Sequence, residues 1–313
     1  KGHWSARDIK DKLGINKIYL PSREDGTQEM GARAALRALK DSGLDPLDID
    51  LVISFGEEWK EYPLTTSAIY IQDRLGAENA WAIDMQNRCC SSISVLKVAK
   101  DMMTADPDLN HVLIAGGYRN GDFIDYGDND MSMMFNLSAG GGAMVLSRSL
   151  NRNIILESHI ISDASLARTV AVEIGGTENP INRENLDYAY KSLKILDKDK
   201  MKRILKEVST DNWMKCLDKS LEKANLKRED IDYLNILHIK RSEHERILDM
   251  LNLEENQSIY LSDYGHMGQV DQILSLKLAL EKGYVKDNMI IASLAAGIGY
   301  VWASNIIKWG SVD

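Results

Sequence analysis

Apolar residues recur along the chain at two spacings, which predict helices and short strands in alternation. Residues 28–42 carry apolar side chains at helical spacing, and Gly43 follows at the position of a left-handed helix cap. The β-branched run 49–55 then predicts a strand, and residues 66–75 predict a further helix. Helices that alternate with short strands in this way are typical of an α/β fold.

The stretch around two adjacent cysteines holds the clearest candidate chemistry. The apolar run 81–83 predicts a buried strand, and apolar spacing from Ile93 onward predicts a helix, so Cys89 and Cys90 lie in the turn between them. A thiol at the start of a helix lies at the positive end of the helix dipole, which favours the thiolate. Cys89 is therefore a candidate nucleophile for an acyl group. The alternative is that both cysteines are small buried apolar residues.

The second half of the chain repeats the order of the first. The pattern Leu-x-x-x-Asp-Ile-Asp, running into a strand, begins at Leu44 and again at Leu226. Gly43 and Asn225, which directly precede the two occurrences, both tolerate a left-handed helix cap. An internal duplication explains both occurrences. We therefore predict two βαβ-type halves, residues 1–150 with the cysteine and residues 151–313 with the histidines. Within the second half, the charged stretch 187–209 predicts a helix.

Two histidines of the second half occupy informative positions. The counterpart of the cysteine turn is the stretch 259–271, which again predicts a strand, a turn and a helix start, with His266 near the start of the twin helix. His238 ends a strand predicted over residues 233–237, where ligand-facing groups lie in layered α/β folds. If the two helix starts face one crevice, they bring together a thiolate, a base and a hydrogen-bond donor, as an activated thiol requires.

Composition excludes several classes of protein. A net charge of −9 argues against a nucleic-acid-binding protein, which needs a basic face. The 3 cysteines, two of them adjacent, provide neither a disulfide framework nor a zinc-binding spacing, so we expect a cytoplasmic protein without a bound metal. The apolar run 289–307 contains Gly297 and Gly299, which predict two strands joined by a turn rather than a membrane span.

The order of these motifs resembles that of the β-ketoacyl-acyl-carrier-protein synthase III group of thiolase-fold condensing enzymes. The matching pieces are Lys12-Leu-Gly-Ile-Asn-Lys17, Asp84 followed five residues later by Cys89, Phe135-Asn-Leu-Ser-Ala-Gly-Gly-Gly-Ala143, Ile161-Ser-Asp163, His238, Tyr264-Gly-His266 and Gly297-Ile-Gly-Tyr-Val-Trp302. The resemblance implies a thiolase-like fold whose duplicated halves form five αβαβα layers. In that group a first strand and a glycine turn precede the first of these pieces, so we expect that a chain starting at Lys1 lacks them.

The resemblance also implies roles for individual residues. Cys89 matches the acylated nucleophile, with Cys90 as its rival, and His238 matches the catalytic histidine. The oxyanion hole is formed by the backbone amides of Cys89 and of the loop that consists of Gly297, Ile298 and Gly299. The acyl donor is a thioester on coenzyme A or acyl carrier protein, and no other cofactor is implied.

The resemblance also implies a homodimer, since the group works as homodimers, and a loop on the dimer side that shapes the acyl pocket. The loop with Tyr62 matches the dimer-side loop that shapes the acyl pocket, and Trp59 is a second candidate for that wall. Neither a membrane nor a nucleic acid is implied as a partner.

Three departures from the group's pattern affect the predicted reaction. His266 stands where the group has an asparagine that helps to hold the enolate left by a decarboxylated malonyl thioester; a histidine there can donate one hydrogen bond or act as a base. Glu243 stands where the group has a carrier-binding arginine, and the neighbouring Lys240 and Arg241 are either replacements or solvated charges. Glu58 lies about where hydroxymethylglutaryl-coenzyme A synthases carry a catalytic glutamate; the alternative is an exposed loop residue.

Three functions stay open. The first is an acyl-thioester condensing enzyme of fatty acid or polyketide biosynthesis, which is acylated on Cys89 and passes the acyl group to a malonyl-type or other acceptor. The second is a non-decarboxylating acyltransferase or a hydroxymethylglutaryl-coenzyme-A-synthase-like enzyme, and His266 favours it. The third is a non-catalytic thiolase-fold partner subunit, against which the presence of Cys89 and His238 argues.

Overall fold

The computed structural model describes residues 4–148 and 150–311, so Lys1 and Gly2 lie outside the described part. The helices are α1 (Ala6–Asp8), followed by a π-helical turn at Ile9–Leu13, then α2 (Thr27–Ser42), α3 (Ser67–Leu75), α4 (Ser91–Ala105), α5 (Lys198–Lys223), α6 (Arg241–Leu251) and α7 (Asp271–Glu281). The strands are β1 (Leu51–Ser54), β2 (Trp81–Asp84), β3 (His111–Tyr118), β4 (Gly140–Ser147), β5 (Arg152–Ser162), β6 (Val170–Val172), β7 (Leu193–Ile195), β8 (Tyr233–Ile236), β9 (Ile290–Gly297) and β10 (Val301–Ser311).

Two four-stranded sheets form the framework. The first has the order β2-β1-β3-β4, in which β1 lies parallel to β2 and β3, and β4 runs antiparallel to β3. The second has the order β5-β10-β9-β8, in which β8 and β9 are parallel and β10 is antiparallel to both of its neighbours. The series β1, β3, β4 thus has the same order and directions as β8, β9, β10, as an internal duplication predicts.

Helices and sheets alternate in five layers. Helices α2 and α3 pack their small apolar residues on the outer face of the first sheet. Helices α4 and α7 lie between the two sheets, and α5 and α6 cover the outer face of the second sheet. The predicted αβαβα arrangement is therefore confirmed. The division into 1–150 and 151–313 stays a prediction.

Helix ends follow the predicted cap chemistry. Helix α2 ends at Gly43, whose φ is +72°, and α3 ends at Gly76, whose φ is +71°. Asn225, at the position equivalent to Gly43, has a φ of +56°. Glycine and asparagine tolerate this left-handed conformation, so these residues end their helices at low cost.

Three local predictions were wrong, and each has a physical reason. Strand β2 is not buried, because it is the edge of its sheet: Trp81 is 47% exposed and Ile83 is 38% exposed. Residues 259–261 form no strand ladder; an isolated bridge joins Ser258 to Leu234 instead. The charged stretch 187–209 enters a long helix only at Lys198; before that, it contains strand β7, which pairs antiparallel with β6.

The described residues offer no helix that could cross a lipid bilayer. Among these residues there is also no group of three histidine, cysteine or acidic side chains that could hold a metal ion.

Candidate active site

Cys89 lies in a tight turn between β2 and α4. The turn closes through a hydrogen bond from the amide of Cys90 to the carbonyl of Asn87 (3.1 Å), and the Asn87 amide donates to the Ser91 hydroxyl (2.7 Å). Arg88 has a φ of +50°, in the left-handed region that a long side chain seldom adopts. The turn leaves Cys89 only 8% exposed, at the wall of a cavity.

The backbone of His266 pairs with one segment of the first half, residues 136–138. Its amide donates to the Asn136 carbonyl (2.8 Å), and its carbonyl accepts from the Ser138 amide (2.9 Å). The preceding Gly265 has a φ of +74°, and a Cβ placed on it would lie 2.7 Å from the Asn136 carbonyl oxygen. Only glycine fits this close approach, so the Gly265 position fixes where the His266 ring points.

The His266 ring joins Cys89 to a buried carboxylate. Its Nε2 atom lies 3.3 Å from the Cys89 sulfur, and its Nδ1 atom lies 2.6 Å from the Asp271 carboxylate. Asp271 is fully buried at the first position of α7. Its carboxylate also accepts hydrogen bonds from the backbone amides of Met267 (2.7 Å) and His238 (2.8 Å). Cys89, His266 and Asp271 therefore form a nucleophile, a base and an orienting group in hydrogen-bond contact.

The electrostatics of this triad favour a protonated imidazole. Burial opposes protonation of His266, but the Asp271 carboxylate and Cys89 outweigh burial and raise the pKa of His266 well above its usual value. A protonated His266 ring beside the Cys89 sulfur attracts the thiolate, which is the reactive form of cysteine.

His238 is buried beside the triad in a different electrostatic state. Its ring packs against Tyr260 with the ring centres 4.9 Å apart, and neither ring nitrogen has a partner among the described residues. Burial lowers the pKa of His238 to about 4, although Asp271 opposes the shift. A neutral imidazole offers one donor and one acceptor, so His238 has both available for a ligand.

The starts of the twin helices meet, as the duplication predicts. The Ser92 hydroxyl in the first turn of α4 donates to the side-chain oxygen of Gln272 in the first turn of α7 (3.1 Å). Because Cys89 precedes α4 and His266 precedes α7, this contact brings the two side chains to one cavity.

The cavity has a volume of about 840 Å³ and a largely apolar wall. Cys89, His238 and His266 all line it, together with Gly297 and Ile298 of the loop after β9. Its apolar residues include Leu13, Trp59, Phe123, Met133, Met134, Val170, Val172, Tyr190 and Leu193. A cavity of this size holds a small-molecule ligand such as an acyl chain.

Gly297 lies directly against the nucleophile. A Cβ placed on Gly297 would lie 3.1 Å from the Cys89 backbone nitrogen, so a glycine allows the loop to pack against the cysteine turn. Gly299 belongs to the turn between β9 and β10, with a φ of +142°, and does not line the cavity.

The remaining candidates separate into buried and exposed residues. Cys90 lies outside the cavity lining, with its sulfur 3.6 Å from the Val301 carbonyl, and burial raises its pKa well above the usual value. Trp59 lines the cavity and packs against Tyr190, with ring centres 4.7 Å apart. Tyr62 is 71% exposed and lies outside the lining, so within this chain it does not shape the pocket.

The acidic pair after β1 consists of one exposed and one buried residue, and Glu58 is the exposed loop residue of the predicted alternative. The side chain of Glu58 is 73% exposed at the rim of the cavity, whereas that of Glu57 is 2% exposed and pairs with Arg88. Lys240 lines the cavity, and Glu243 pairs with Arg246 instead of facing it.

Two side chains near the sulfur were missing from the sequence prediction. Asp271 carried one recognisable signal: it is a single acidic residue at the start of an apolar helix, five positions after His266. Glu57 carried none, because it adjoins Glu58 in an irregular loop where periodicity cannot tell which side chain turns inward.

Comparisons with known proteins give the family. The family model described as "3-Oxoacyl-[acyl-carrier-protein (ACP)] synthase III" matches residues 83–164, and the model of the C-terminal part of the same family matches residues 221–309. Together the two models cover more than half of the chain. The β-ketoacyl-[acyl-carrier-protein] synthase III of Clostridioides difficile is 27% identical over 308 residues, which are 96% of this chain and 89% of the relative.

Solved structures share the fold. The 3-oxoacyl-[acyl-carrier-protein] synthase III of Aquifex aeolicus superposes with a TM-score of 0.82 at 20% identity, over 98% of this chain and 92% of that one. The acyltransferase ChlB3 superposes with a TM-score of 0.77 at 20% identity, over 99% of this chain and 91% of that one. The chain belongs to the 3-oxoacyl-acyl-carrier-protein synthase III family of thiolase-like condensing enzymes, and by class it is an acyltransferase.

Proposed function

We propose that Cys89 takes an acyl group from a thioester of coenzyme A or acyl carrier protein and passes it to an acceptor. The observation that carries the proposal is the contact chain from the Cys89 sulfur to His266 (3.3 Å) and from His266 to Asp271 (2.6 Å), at the wall of an apolar cavity. The names of the relatives support a thioester donor, because they are β-ketoacyl-[acyl-carrier-protein] synthases.

In the first step, the Cys89 sulfur attacks the thioester carbonyl carbon. The developing oxyanion accepts hydrogen bonds from the backbone amides of Cys89 and of the loop at Gly297 and Ile298, which lines the cavity. The carbon–sulfur bond to the donor then breaks, and the departing thiolate takes the proton of the His266 imidazolium. The products are an acyl-Cys89 thioester, a free donor thiol and a neutral His266.

In the second step, the acyl group leaves Cys89 for a nucleophile. With a malonyl-type acceptor, His266 first regains a proton from solvent, as its raised pKa favours. Loss of carbon dioxide then leaves an enolate whose oxygen accepts hydrogen bonds from neutral His238 and from the protonated Nε2 atom of His266. The enolate carbon attacks the acyl carbon, the bond from that carbon to the Cys89 sulfur breaks, and Cys89 returns as thiolate beside the His266 imidazolium. This is the condensation that family membership favours.

A second candidate is transfer without decarboxylation to a hydroxyl or amine. The His266–Asp271 contact favours it, since a neutral imidazole oriented by a carboxylate can take the acceptor proton as the acyl group moves. Cys89 then returns as thiolate beside a protonated His266, so the proton balance closes. The same fold carries an acyltransferase in ChlB3.

Intact-protein mass spectrometry after incubation with acyl thioesters tests the first step. We expect one added acyl mass, its loss in Cys89→Ala, and its retention in Cys90→Ala. A label that persists in Cys89→Ala and disappears in Cys90→Ala contradicts the assignment. Absence of any acyl-enzyme across a wide donor panel favours a non-catalytic subunit.

Malonyl thioester added to the acyl-enzyme separates the two second steps. Release of carbon dioxide with formation of a β-keto product supports condensation. Loss of the acyl mass to alcohol or amine acceptors, without carbon dioxide release, supports the second candidate.

We further propose a homodimer. Trp81 and Ile83 expose apolar side chains on the edge strand β2, and the nearby loop exposes Tyr62 (71%) and Leu64 (101%). Edge strands with exposed apolar residues are ready to pair with another chain. A mass of one subunit at all concentrations in light scattering would contradict this proposal. The free thiols of Cys89, Cys90 and Cys216 fit a reducing, cytoplasmic compartment.

A further inference from the structure

Beside the nucleophile, the apolar cavity contains a compact polar group that the two-step chemistry does not use. The Arg88 guanidinium lies 3.0 Å from the Glu57 carboxylate, and both side chains line the cavity. Asn120 lines it too and hydrogen-bonds to both Glu57 and Tyr118. We call Glu57, Arg88 and Asn120 the polar pocket.

The polar pocket and the Cys89 nucleophile line the same cavity. Arg88 directly precedes Cys89 in the chain and adopts the left-handed backbone conformation, with a φ of +50°. Non-glycine residues held in this conformation cluster at ligand sites. An acyl chain attached to the Cys89 sulfur enters the cavity that the polar pocket lines.

One acceptor in the polar pocket is unpaired. The side-chain oxygen of Asn120 is buried and has no hydrogen-bond partner in the part of the chain that the structure describes. A buried acceptor without a partner costs free energy, and a ligand that donates a hydrogen bond removes that cost. The unpaired Asn120 oxygen therefore favours a ligand that carries a hydrogen-bond donor.

The charges around the polar pocket favour a neutral hydrogen-bond donor on the acyl group. The Glu57 side chain is 2% exposed, and Arg88 neutralises its charge, so the pair presents hydrogen-bonding atoms without a net charge. The exposed Glu58, whose carboxylate lies 3.6 Å from the same guanidinium, adds negative charge at the rim and disfavours an acyl group that ends in a carboxylate. A neutral hydroxyl can donate to the Asn120 oxygen and accept from the Arg88 guanidinium.

We propose that the polar pocket of Glu57, Arg88 and Asn120 selects acyl groups that carry a hydroxyl close to the thioester. This inference rests on the proposed acylation of Cys89. It names the class of donor as hydroxyacyl thioesters in preference to plain alkanoyl thioesters of the same length.

The test measures the rate of acyl-enzyme formation with three coenzyme A thioesters: butyryl, 3-hydroxybutyryl and 4-hydroxybutyryl. For the unmodified enzyme we expect one of the hydroxylated donors to load about tenfold faster than butyryl, as sites with a buried partner for a hydroxyl discriminate strongly against its absence. In Asn120→Leu this preference should fall to about one, mainly through slower hydroxyacyl loading.

Two further variants are measured with the same thioesters: Glu57→Gln as a second test of the polar pocket, and Met134→Leu as the control. Glu57→Gln keeps the shape of the side chain and should also reduce the preference, which covers the case in which Asn120→Leu folds poorly. Met134→Leu alters the apolar wall of the same cavity and should leave the preference unchanged.

Two outcomes overturn the inference. One is an unmodified enzyme that loads butyryl as fast as both hydroxylated donors. The other is an equal loss of butyryl and hydroxybutyryl loading in Asn120→Leu and Glu57→Gln, which would mean that the polar pocket only supports the cysteine turn. If no donor loads at all, it is the proposed function that fails, so the two failures are distinguishable.

Discussion

One oxygen of Asp271 serves both histidines of the site: it lies 2.6 Å from the ring nitrogen of His266 and 2.8 Å from the backbone nitrogen of His238. The carboxylate orients the His266 ring directly, and it anchors the strand end that carries the His238 ring. Asp271 is therefore the common support of two groups with different electrostatic states.

Replacing Asp271 by asparagine tests this support. Asp271→Asn removes the charge that raises the pKa of His266, so we expect acylation of Cys89 to slow by about 10²- to 10⁴-fold. Rapid-quench mass spectrometry measures the rate, and circular dichroism checks the fold. An acylation rate within a factor of two of the unmodified enzyme would remove Asp271 from the mechanism.

His266→Asn exchanges the base for the residue that the family carries at this position. An asparagine can donate to an enolate oxygen but cannot take a proton, so transfer to alcohols or amines should fall about 10²-fold or more. Carbon dioxide release from malonyl thioester should be retained or increased when both activities are measured from the preformed acyl-enzyme, because loss of the His266 contact with Cys89 also slows acylation. Product analysis with both acceptors measures the two activities, and a parallel loss of both would mean that His266 acts only on Cys89.

Alkylation of the native protein distinguishes the three thiols. Cys89 lines the cavity beside a protonated imidazole, whereas burial raises the pKa of Cys90 well above its usual value and that of Cys216 to about 12. Iodoacetamide should therefore add a single group at neutral pH, and Cys89→Ala should add none. Peptide mapping that finds the label on Cys90 would contradict the description of the turn.

The buried His244 makes stability depend on pH. Burial, followed by the charge of Arg241, lowers its pKa to about 4 from 6.5. Between these two values the unfolded chain binds a proton that the folded chain does not, so stability falls as pH falls through this window. In His244→Phe, the loss of unfolding free energy between pH 7.5 and pH 5 should be smaller by about 2 kcal/mol. Urea unfolding at both pH values measures it, and equal losses would refute the assignment.

Gly265→Ala tests the backbone that positions His266. The alanine would have a φ of +74° and a Cβ 2.7 Å from the Asn136 carbonyl oxygen, so we expect a loss of about 1–3 kcal/mol in unfolding free energy. Gly176→Ala is the control, since a Cβ there meets no atom within 4 Å. Equal unfolding free energies of the two variants would show that the close approach at Gly265 does not destabilise the alanine variant.

Local patterns predicted most of the framework. The caps at Gly43 and Asn225 could be predicted because glycine and asparagine tolerate positive φ, which is a property of the residue and not of its surroundings. The meeting of the α4 and α7 starts followed from the duplication, and the Ser92–Gln272 hydrogen bond is its result.

The sequence alone could not show which side chains are buried and which are exposed at these positions. Glu57 and Glu58 have the same chemistry, and only the path of the chain after β1 turns the first inward and the second outward. Trp81 and Ile83 were expected to be buried because they are apolar, but their exposure depends on which strand lies at the edge of the sheet. Both features depend on packing between segments that are distant in the chain, and such packing leaves no local pattern in the sequence.

The position of β2 has a consequence for enzyme assays. The strand that exposes Trp81 and Ile83 ends at Asp84, a few residues before the turn that holds Cys89. If a second subunit pairs with this edge, association would hold the nucleophile turn in place, and dissociation would loosen it. Activity per milligram of protein would then decline on dilution, and rates measured at very low enzyme concentration would report the free subunit.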